Sequence, residues 1–267
     1  MGRGGRSYGR AVRKDGLEFE IPGGPDAVLL LHGLTGSTFE MHHVAERLGR
    51  AGHRCLVPVM SGHGGSPARL RGVPFEEWIA QAERDLVRLD GARRTFVVGC
   101  SMGALAAVAL AHAHPDRVDA LVLLAPALEL QPSGQLAGLL GRFALTRSIV
   151  IPKTAGSDVR DAEMRRRNPT MPGVPVGAVA ELMRMQRHVE ALLPDVETPA
   201  LVIQGAEDHT VTLEGALRLA RMIGSGPARV VLLPESYHLV GIDLERDRCA
   251  DEVEHFIAAT AAAESGA

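Results

Sequence analysis

Ser101, Asp208 and His238 stand far apart in this chain, yet they are the three residue types that together turn a hydroxyl into a nucleophile. A serine hydroxyl attacks poorly until a base removes its proton, and that base needs a third group to hold its tautomer. Ser101 lies in Gly99-Cys100-Ser101-Met102-Gly103, behind the apolar run 95–98 and ahead of the helix-forming run 104–113. That strand–turn–helix context is what a G-x-S-x-G elbow requires. The turn is so tight that the residues two before and two after the nucleophile must be tiny. With 30 glycines in 267 residues, the bare pattern arises by chance on the order of 0.2 times per chain. Context and the downstream residues carry the reading.

Two further loops follow in the order the chemistry needs. Gln204-Gly205-Ala206-Glu207-Asp208-His209 and Pro234-Glu235-Ser236-Tyr237-His238 each come directly after an apolar run. Loops at the carboxyl edge of an open α/β sheet gather at one site, and Ser, then Asp, then His is an established triad order. Ser101 is therefore assigned as nucleophile, His238 as general base and acid, and Asp208 as the orienting carboxylate. Glu207 is the rival acid; spacing favours Asp208. His209 leaves the same turn as the acid and cannot also reach Ser101. His63, in Ser61-Gly62-His63-Gly64-Gly65, reads as a structural residue first and pocket lining second. A tetrahedral oxyanion also needs donors. His32-Gly33-Leu34-Thr35-Gly36-Ser37 follows the run 27–31. Its Leu34 N–H and the N–H of Met102 are the predicted oxyanion hole, with His32 bracing the loop and the Leu34 side chain lining the acyl site.

The elements that must position these residues are legible as well. Short apolar runs at 27–31, 54–57, 95–98, 120–124, 200–203 and 229–233 read as strands covered on both faces. Helical patterns lie between them. One opens with Ser37-Thr38-Phe39-Glu40, a capping-box spacing, and sets Met41, Val44 and Leu48 on one face. Others cover 74–89 and the stretch from about Leu244, which carries Val253, Phe256 and Ile257. This alternation predicts an α/β fold with a doubly wound, mainly parallel sheet and right-handed crossovers. The rhythm breaks at 128–197, where leucines and methionines are interrupted by Pro152, Pro169, Pro172 and Pro175. That segment is expected to be a small helical cap insertion, with the core at 21–127 and 198–267 and a disordered tail at 1–20. Met164, Met183 and Ile151 in the insertion join Leu34 as candidate substrate-binding residues, because apolar side chains there would bury an acyl tail.

Bulk properties narrow the function further. At 46% hydrophobic residues, 267 residues suffice for one α/β domain with an insertion. A formal charge of −3 provides no broad basic field, so nucleic acid is not expected as a partner. Cys55, Cys100 and Cys249 are odd in number, widely spaced and lack metal-ligand spacing. They fit a reducing compartment, and the expected location is cytoplasmic. Residues 1–14 are Gly- and Arg-rich without an apolar stretch, which does not fit a secretory signal. No run approaches the ~18 apolar residues of a membrane span, so stable membrane insertion is not expected. Oligomeric state is not written in the sequence.

Over about residues 27–259 these motifs resemble the α/β-hydrolase superfamily, and within it the small bacterial carboxylesterases and monoacylglycerol lipases. The resemblance rests on His32-Gly33-Leu34-Thr35-Gly36, Ser61-Gly62-His63-Gly64, the elbow at Ser101, Glu207-Asp208-His209 and Ser236-Tyr237-His238. Gly156-Ser157-Asp158 and Asp243-Leu244-Glu245-Arg246-Asp247 add to it. It implies the α/β-hydrolase fold, a small cap over the site, and hydrolysis of carboxylic esters, including monoacylglycerols. Combined with the triad, it leads to the expectation of a serine hydrolase that forms an acyl-enzyme on a small-molecule ester of short or medium chain. No metal or organic cofactor is called for. The alternatives are a triad hydrolase of another bond (carbon–carbon hydrolase, lactonase or thioesterase) and a non-catalytic ligand-binding protein of the same fold.

Overall fold

The computed structural model describes residues 16–265. In chain order the elements are β1 (Phe19–Ile21), β2 (Asp26–Leu31), α1 (Phe39–Arg50), β3 (Arg54–Val57), α2 (Pro67–Leu70), α3 (Phe75–Val87), β4 (Arg94–Cys100), α4 (Met102–Ala113) and β5 (Ala120–Leu124). Then come α5 (Pro132–Leu140), β6 (Val150–Pro152), α6 (Ala162–Arg167), β7 (Gly173–Pro175), α7 (Val176–Leu192), β8 (Ala200–Gly205), α8 (Leu213–Met222), β9 (Arg229–Leu233) and α9 (Arg246–Ser265). The expected strands at 54–57, 120–124 and 229–233 coincide with β3, β5 and β9, and the rest run slightly longer. β1 starts inside the stretch 1–20 expected as a tail; residues 1–15 lie outside the described residues.

Seven strands form one sheet in the order β1-β3-β2-β4-β5-β8-β9. Only β1 runs antiparallel to its neighbour; the other pairs are parallel. The period-2 alternation of a strand sorts side chains to two faces. From β2, Ala27, Leu29 and Leu31 join one core, while Val28 and Leu30 join the other. The first core is covered by α3, α4 and α8, through residues such as Trp78, Leu105 and Leu219. The second is covered by α1 and α9, through Met41, Val44, Leu48, Val253 and Ile257. Helices on both faces make the sheet doubly wound, as expected. α4 is buried all round from Met102 to Ala111, because α3 and α7 close over its outer side.

Between β5 and β8 the chain makes an excursion that contains α5, α6 and α7 and an antiparallel β6–β7 hairpin. The hairpin left no periodic signal, since each of its strands is three residues long and holds a proline. The capping box is not formed. The N-cap of α1 is Thr38, with no side-chain cap bond, and Glu40 turns inward to 4% exposure. Among the described residues no helix is long and apolar enough to cross a membrane.

Candidate active site

The strand order reverses at β2 and β4, which lie side by side with Leu31 paired to Gly99. Loops leaving adjacent strands in opposite directions open a crevice at their carboxyl ends. The loop after β2 and the elbow after β4 meet there. Ser101 has φ 56° and ψ −113°, the strained backbone expected of an elbow. Added side chains would collide: a Cβ on Gly99 would lie 2.3 Å from the Gly103 carbonyl oxygen, and one on Gly103 would lie 2.2 Å from the Leu31 oxygen. Glycine at both positions lets β4, α4 and β2 approach this closely.

The structure brings the three expected side chains together. His238 Nε2 is 3.0 Å from Ser101 Oγ, and His238 Nδ1 is 2.8 Å from Asp208 Oδ2. Asp208 also accepts from the backbone N–H groups of Thr210 and Val211, each at 2.8 Å, and from the Gln204 side-chain amide. Burial opposes its ionisation. The charge and hydrogen bond of His238, with the two backbone amides, outweigh burial and hold the carboxyl below its ordinary value. An ionised Asp208 requires Nδ1 to carry the donated proton, which leaves Nε2 as acceptor for the serine hydroxyl. Burial likewise disfavours charge on His238, but the Asp208 carboxylate reverses the balance and raises its pKa. Glu207, the rival acid, points outward to Arg160 at 3.0 Å.

The loop after β2 is held residue by residue. His32 Nδ1 donates to the Gly33 carbonyl at 2.9 Å while its Nε2 accepts from the Met60 N–H. His63 Nε2 accepts from the Thr35 N–H at 3.0 Å. Both rings are buried and neutral: burial pushes His32 down to about 3 and His63 down to about 4. His63 is thus a structural residue bonded to the same loop that His32 braces. The Gly33 N–H goes to Glu40 Oε2 at 3.2 Å and the Gly36 N–H to the Gly33 carbonyl at 3.1 Å. Among the described residues the Leu34 N–H is left without a partner. The Met102 N–H opens α4, where first-turn amides have no intrahelical acceptor.

The excursion between β5 and β8 is tied to the acid loop near its start, where Gln131 donates its N–H to the Thr210 carbonyl and its side-chain amide to the Asp208 and Val211 carbonyls, and further along it carries two more pins. The Thr35 carbonyl accepts from the Met171 N–H at 2.9 Å and from Thr170 Oγ1 at 3.0 Å. Thr35 needs such restraint, because φ is 60° at a β-branched residue. The second pin is Asp158, whose carboxylate accepts from the His209 N–H and Thr210 Oγ1, each at 3.0 Å, while its carbonyl accepts from the Leu239 N–H. Buried Asp243 then ties Arg160 and Asp161 to Tyr237 through their backbone amides. The motifs around Asp158 and Asp243 thus hold the acid and histidine loops in place.

The four candidate substrate-binding residues are not gathered. Leu34 and Met183 pack against the first core, and Met164 against the second. Met164 lines a 140 Å³ cavity with Phe39, His42 and Ile242, and Met183 lines a 300 Å³ cleft with Leu128, Gln186 and Arg218. Neither space is lined by Ser101 or His238. Ile151 sits in the β6–β7 hairpin and is 43% exposed. The roles of Gln204, which holds Asp208 from four residues away, and of Glu40, which turns back to Gly33, are not marked by any periodic or motif signal in the sequence.

A sheet of this order, with an elbow after its central strand and acid and histidine loops beyond it, is the α/β-hydrolase fold. The chain belongs to the Hydrolase_4 family (serine aminopeptidase, S33), whose model matches residues 25–245. It is 29% identical to the thermostable monoacylglycerol lipase of Bacillus sp. (strain H-257), over 90% of this chain and 93% of the relative. It is 23% identical to a carboxylesterase of Bacillus subtilis (strain 168), over 90% and 95%. Among solved structures it resembles one from a study of LipS and LipT, two metagenome-derived lipolytic enzymes, with TM-score 0.82, 28% identity and coverage of 91% and 98%.

Proposed function

We propose that the chain is a serine esterase that cleaves carboxylic esters of short and medium chain, including monoacylglycerols, through an acyl-enzyme. The observation that carries this reading is the relay from Asp208 Oδ2 through His238 to Ser101 Oγ, at 2.8 and 3.0 Å. As Ser101 attacks the ester carbonyl, His238 Nε2 takes its proton. The developing oxyanion accepts from the Leu34 and Met102 amides. The ester C–O bond then breaks, and His238 returns the proton to the departing alcohol. Water, deprotonated in turn by His238, attacks the acyl-serine and frees the acid. Asp208 stays ionised and stabilises the imidazolium at both stages. Relatives named as a monoacylglycerol lipase and a carboxylesterase support an ester over a peptide as the scissile bond.

In this reading residues 128–197 are the cap, and its bonds to Thr35 and His209 keep it seated over the loops. The experiment is labelling with a fluorophosphonate followed by peptide mapping, together with 4-nitrophenyl ester assays. A single adduct on Ser101, and a loss of about 10⁴-fold or more in Ser101→Ala, are the expected results. Labelling at another residue, or an alanine variant with more than a few per cent of the wild-type rate, overturns the assignment.

A further inference from the structure

Glu40 is a buried acid that the mechanism above does not use. Its carboxyl sits inside the curve of the 33–36 loop. Oε2 accepts from the Gly33 N–H at 3.2 Å, and a Cβ on Gly36 would lie 2.3 Å from each carboxyl oxygen. A Cβ on Gly33 would lie 3.1 Å from the Ser101 Cβ and 3.5 Å from Glu40 Oε2, so Gly33 packs against both. Glu40 therefore packs against the same glycine that touches the nucleophile.

We propose that Glu40 is a positioning residue for the oxyanion hole, fixing the Leu34 amide by holding the N–H of Gly33. The proposal rests on the serine-esterase reading. Glycine has the widest conformational freedom of any residue, so Gly33 is where this loop would most readily rotate. Its carbonyl is already held by His32 and by the Gly36 N–H. The Leu34 N–H belongs to the same planar peptide as that carbonyl and points the opposite way. Anchoring the Gly33 N–H as well constrains both soft dihedrals that set this peptide's direction. Glu40 supplies that second anchor.

A carboxyl is a costly way to fill this space. Burial raises its pKa, opposed by Lys153, the Gly33 N–H, His238 and Asn168. A methionine of similar length would avoid the desolvation. What methionine lacks is an oxygen for the Gly33 N–H. Ionised or protonated, the carboxyl keeps such an oxygen, so the role is independent of its charge. Glutamine keeps one too.

The test compares Glu40→Gln and Glu40→Met on 4-nitrophenyl butyrate, with an alkyl boronic acid as tetrahedral probe. Losing an oxyanion donor altogether costs about 10²–10³-fold, so a misdirected one should cost less. We expect Glu40→Met to lower kcat by about 10- to 100-fold with KM within about twofold, and to weaken boronate binding in parallel. Glu40→Gln should stay within about threefold of wild type in both. Gly36→Ala provides an independent route if the methionine variant does not fold, since its methyl displaces the native carboxyl. It should reproduce the kcat and boronate losses, and in a folded double variant they should not add. Wild-type kcat and boronate affinity in Glu40→Met or in Gly36→Ala, or a glutamine variant as impaired as methionine, overturns the proposal. Ser101→Ala in the same assay separates the two ideas: activity surviving there removes the esterase mechanism itself, whatever the Glu40 variants do.

Discussion

The side-chain amide of Gln204 donates to Asp208 Oδ2 at 2.8 Å, the same oxygen that His238 Nδ1 meets at 2.8 Å. The other oxygen is taken by the Thr210 and Val211 amides. Asp208 is thereby locked in one rotamer, with its shared oxygen aimed at the histidine. Asp208→Asn removes the acceptor that selects the His238 tautomer, and kcat should fall by about 10⁴-fold. Glu207→Gln touches only an exposed pair with Arg160, and should change kcat by less than about twofold. Gln204→Leu leaves the two backbone anchors and should cost about 3- to 10-fold. A larger loss in Glu207→Gln than in Asp208→Asn would reverse the carboxylate roles.

Activity should rise with pH, because His238 must be neutral to accept the serine proton. Burial lowers its pKa and the Asp208 charge raises it, with a net upward direction. The midpoint of kcat/KM should therefore lie above the ordinary histidine value of about 6.5. Asp208→Asn keeps the burial and removes the charge, so its residual activity should titrate at lower pH than wild type. A wild-type midpoint below 6.5 would contradict the geometry.

Acid should unfold the protein early. His32 and His63 titrate near about 3 and about 4 when folded, but near about 6.5 in the unfolded chain. Below pH 6.5 the unfolded state binds protons that the native state refuses, so stability falls as pH drops towards 4. Each histidine contributes up to about 1.4 kcal/mol per pH unit to that slope. Glu40, whose pKa is raised, works in the opposite sense. Urea midpoints at pH 7 and pH 5 measure the loss, and His63→Gln should flatten the dependence. If His63→Gln left the pH dependence unchanged, His63 would not be the group that opposes proton uptake in the native state.

Acyl-chain preference should be set beside Leu34. Its side chain packs on the first core, to which Val176, Val179 and Leu182 of α7 also contribute, and a tail buried on the Leu34 side of the sheet would gain about 0.8 kcal/mol per CH₂. Val179→Trp should shift the optimum to shorter esters at nearly unchanged acetate turnover. Met164→Trp, on the opposite core, should leave the profile alone. Kinetics on acetate to decanoate esters decide between these outcomes; a shift caused by Met164→Trp and not by Val179→Trp would move the pocket to the other face.

Much of this site was legible because its cues are local. A strand run followed by Gly99 and Gly103 identifies the elbow without knowledge of the fold, and 120–124 and 229–233 declare themselves as strands by composition. The order of Ser101, Asp208 and His238 then follows from strands whose carboxyl ends share one edge. Glu40 was misread for the complementary reason. Its spacing from Ser37 fits a cap, and only the packing of the 33–36 loop against α1 turns it inward to Gly33. Asp158 acts through partners in loops that the sheet brings together, while Gln204 contacts Asp208 only four residues on, a spacing that no strand or helix signal marks. The β6–β7 hairpin was hidden because three-residue strands with prolines leave no periodicity.

The bonds from Thr170 and Met171 to Thr35 have a consequence for anyone who would engineer the specificity of this enzyme by swapping lids. The excursion from 128 to 197 invites treatment as a removable cassette, with the sheet and triad as an untouched chassis. Thr35 makes that division false. A chimera that imported a foreign lid in full would lose the Thr170 hydroxyl and reset the position of the backbone amide at 171, the two donors that hold this threonine in its left-handed conformation. The neighbouring Leu34 amide would then shift in a part of the protein nobody had altered. Residues 158–171, which carry the bonds to Thr35, His209, Thr210 and Leu239, belong to the recipient and not to the transplanted unit.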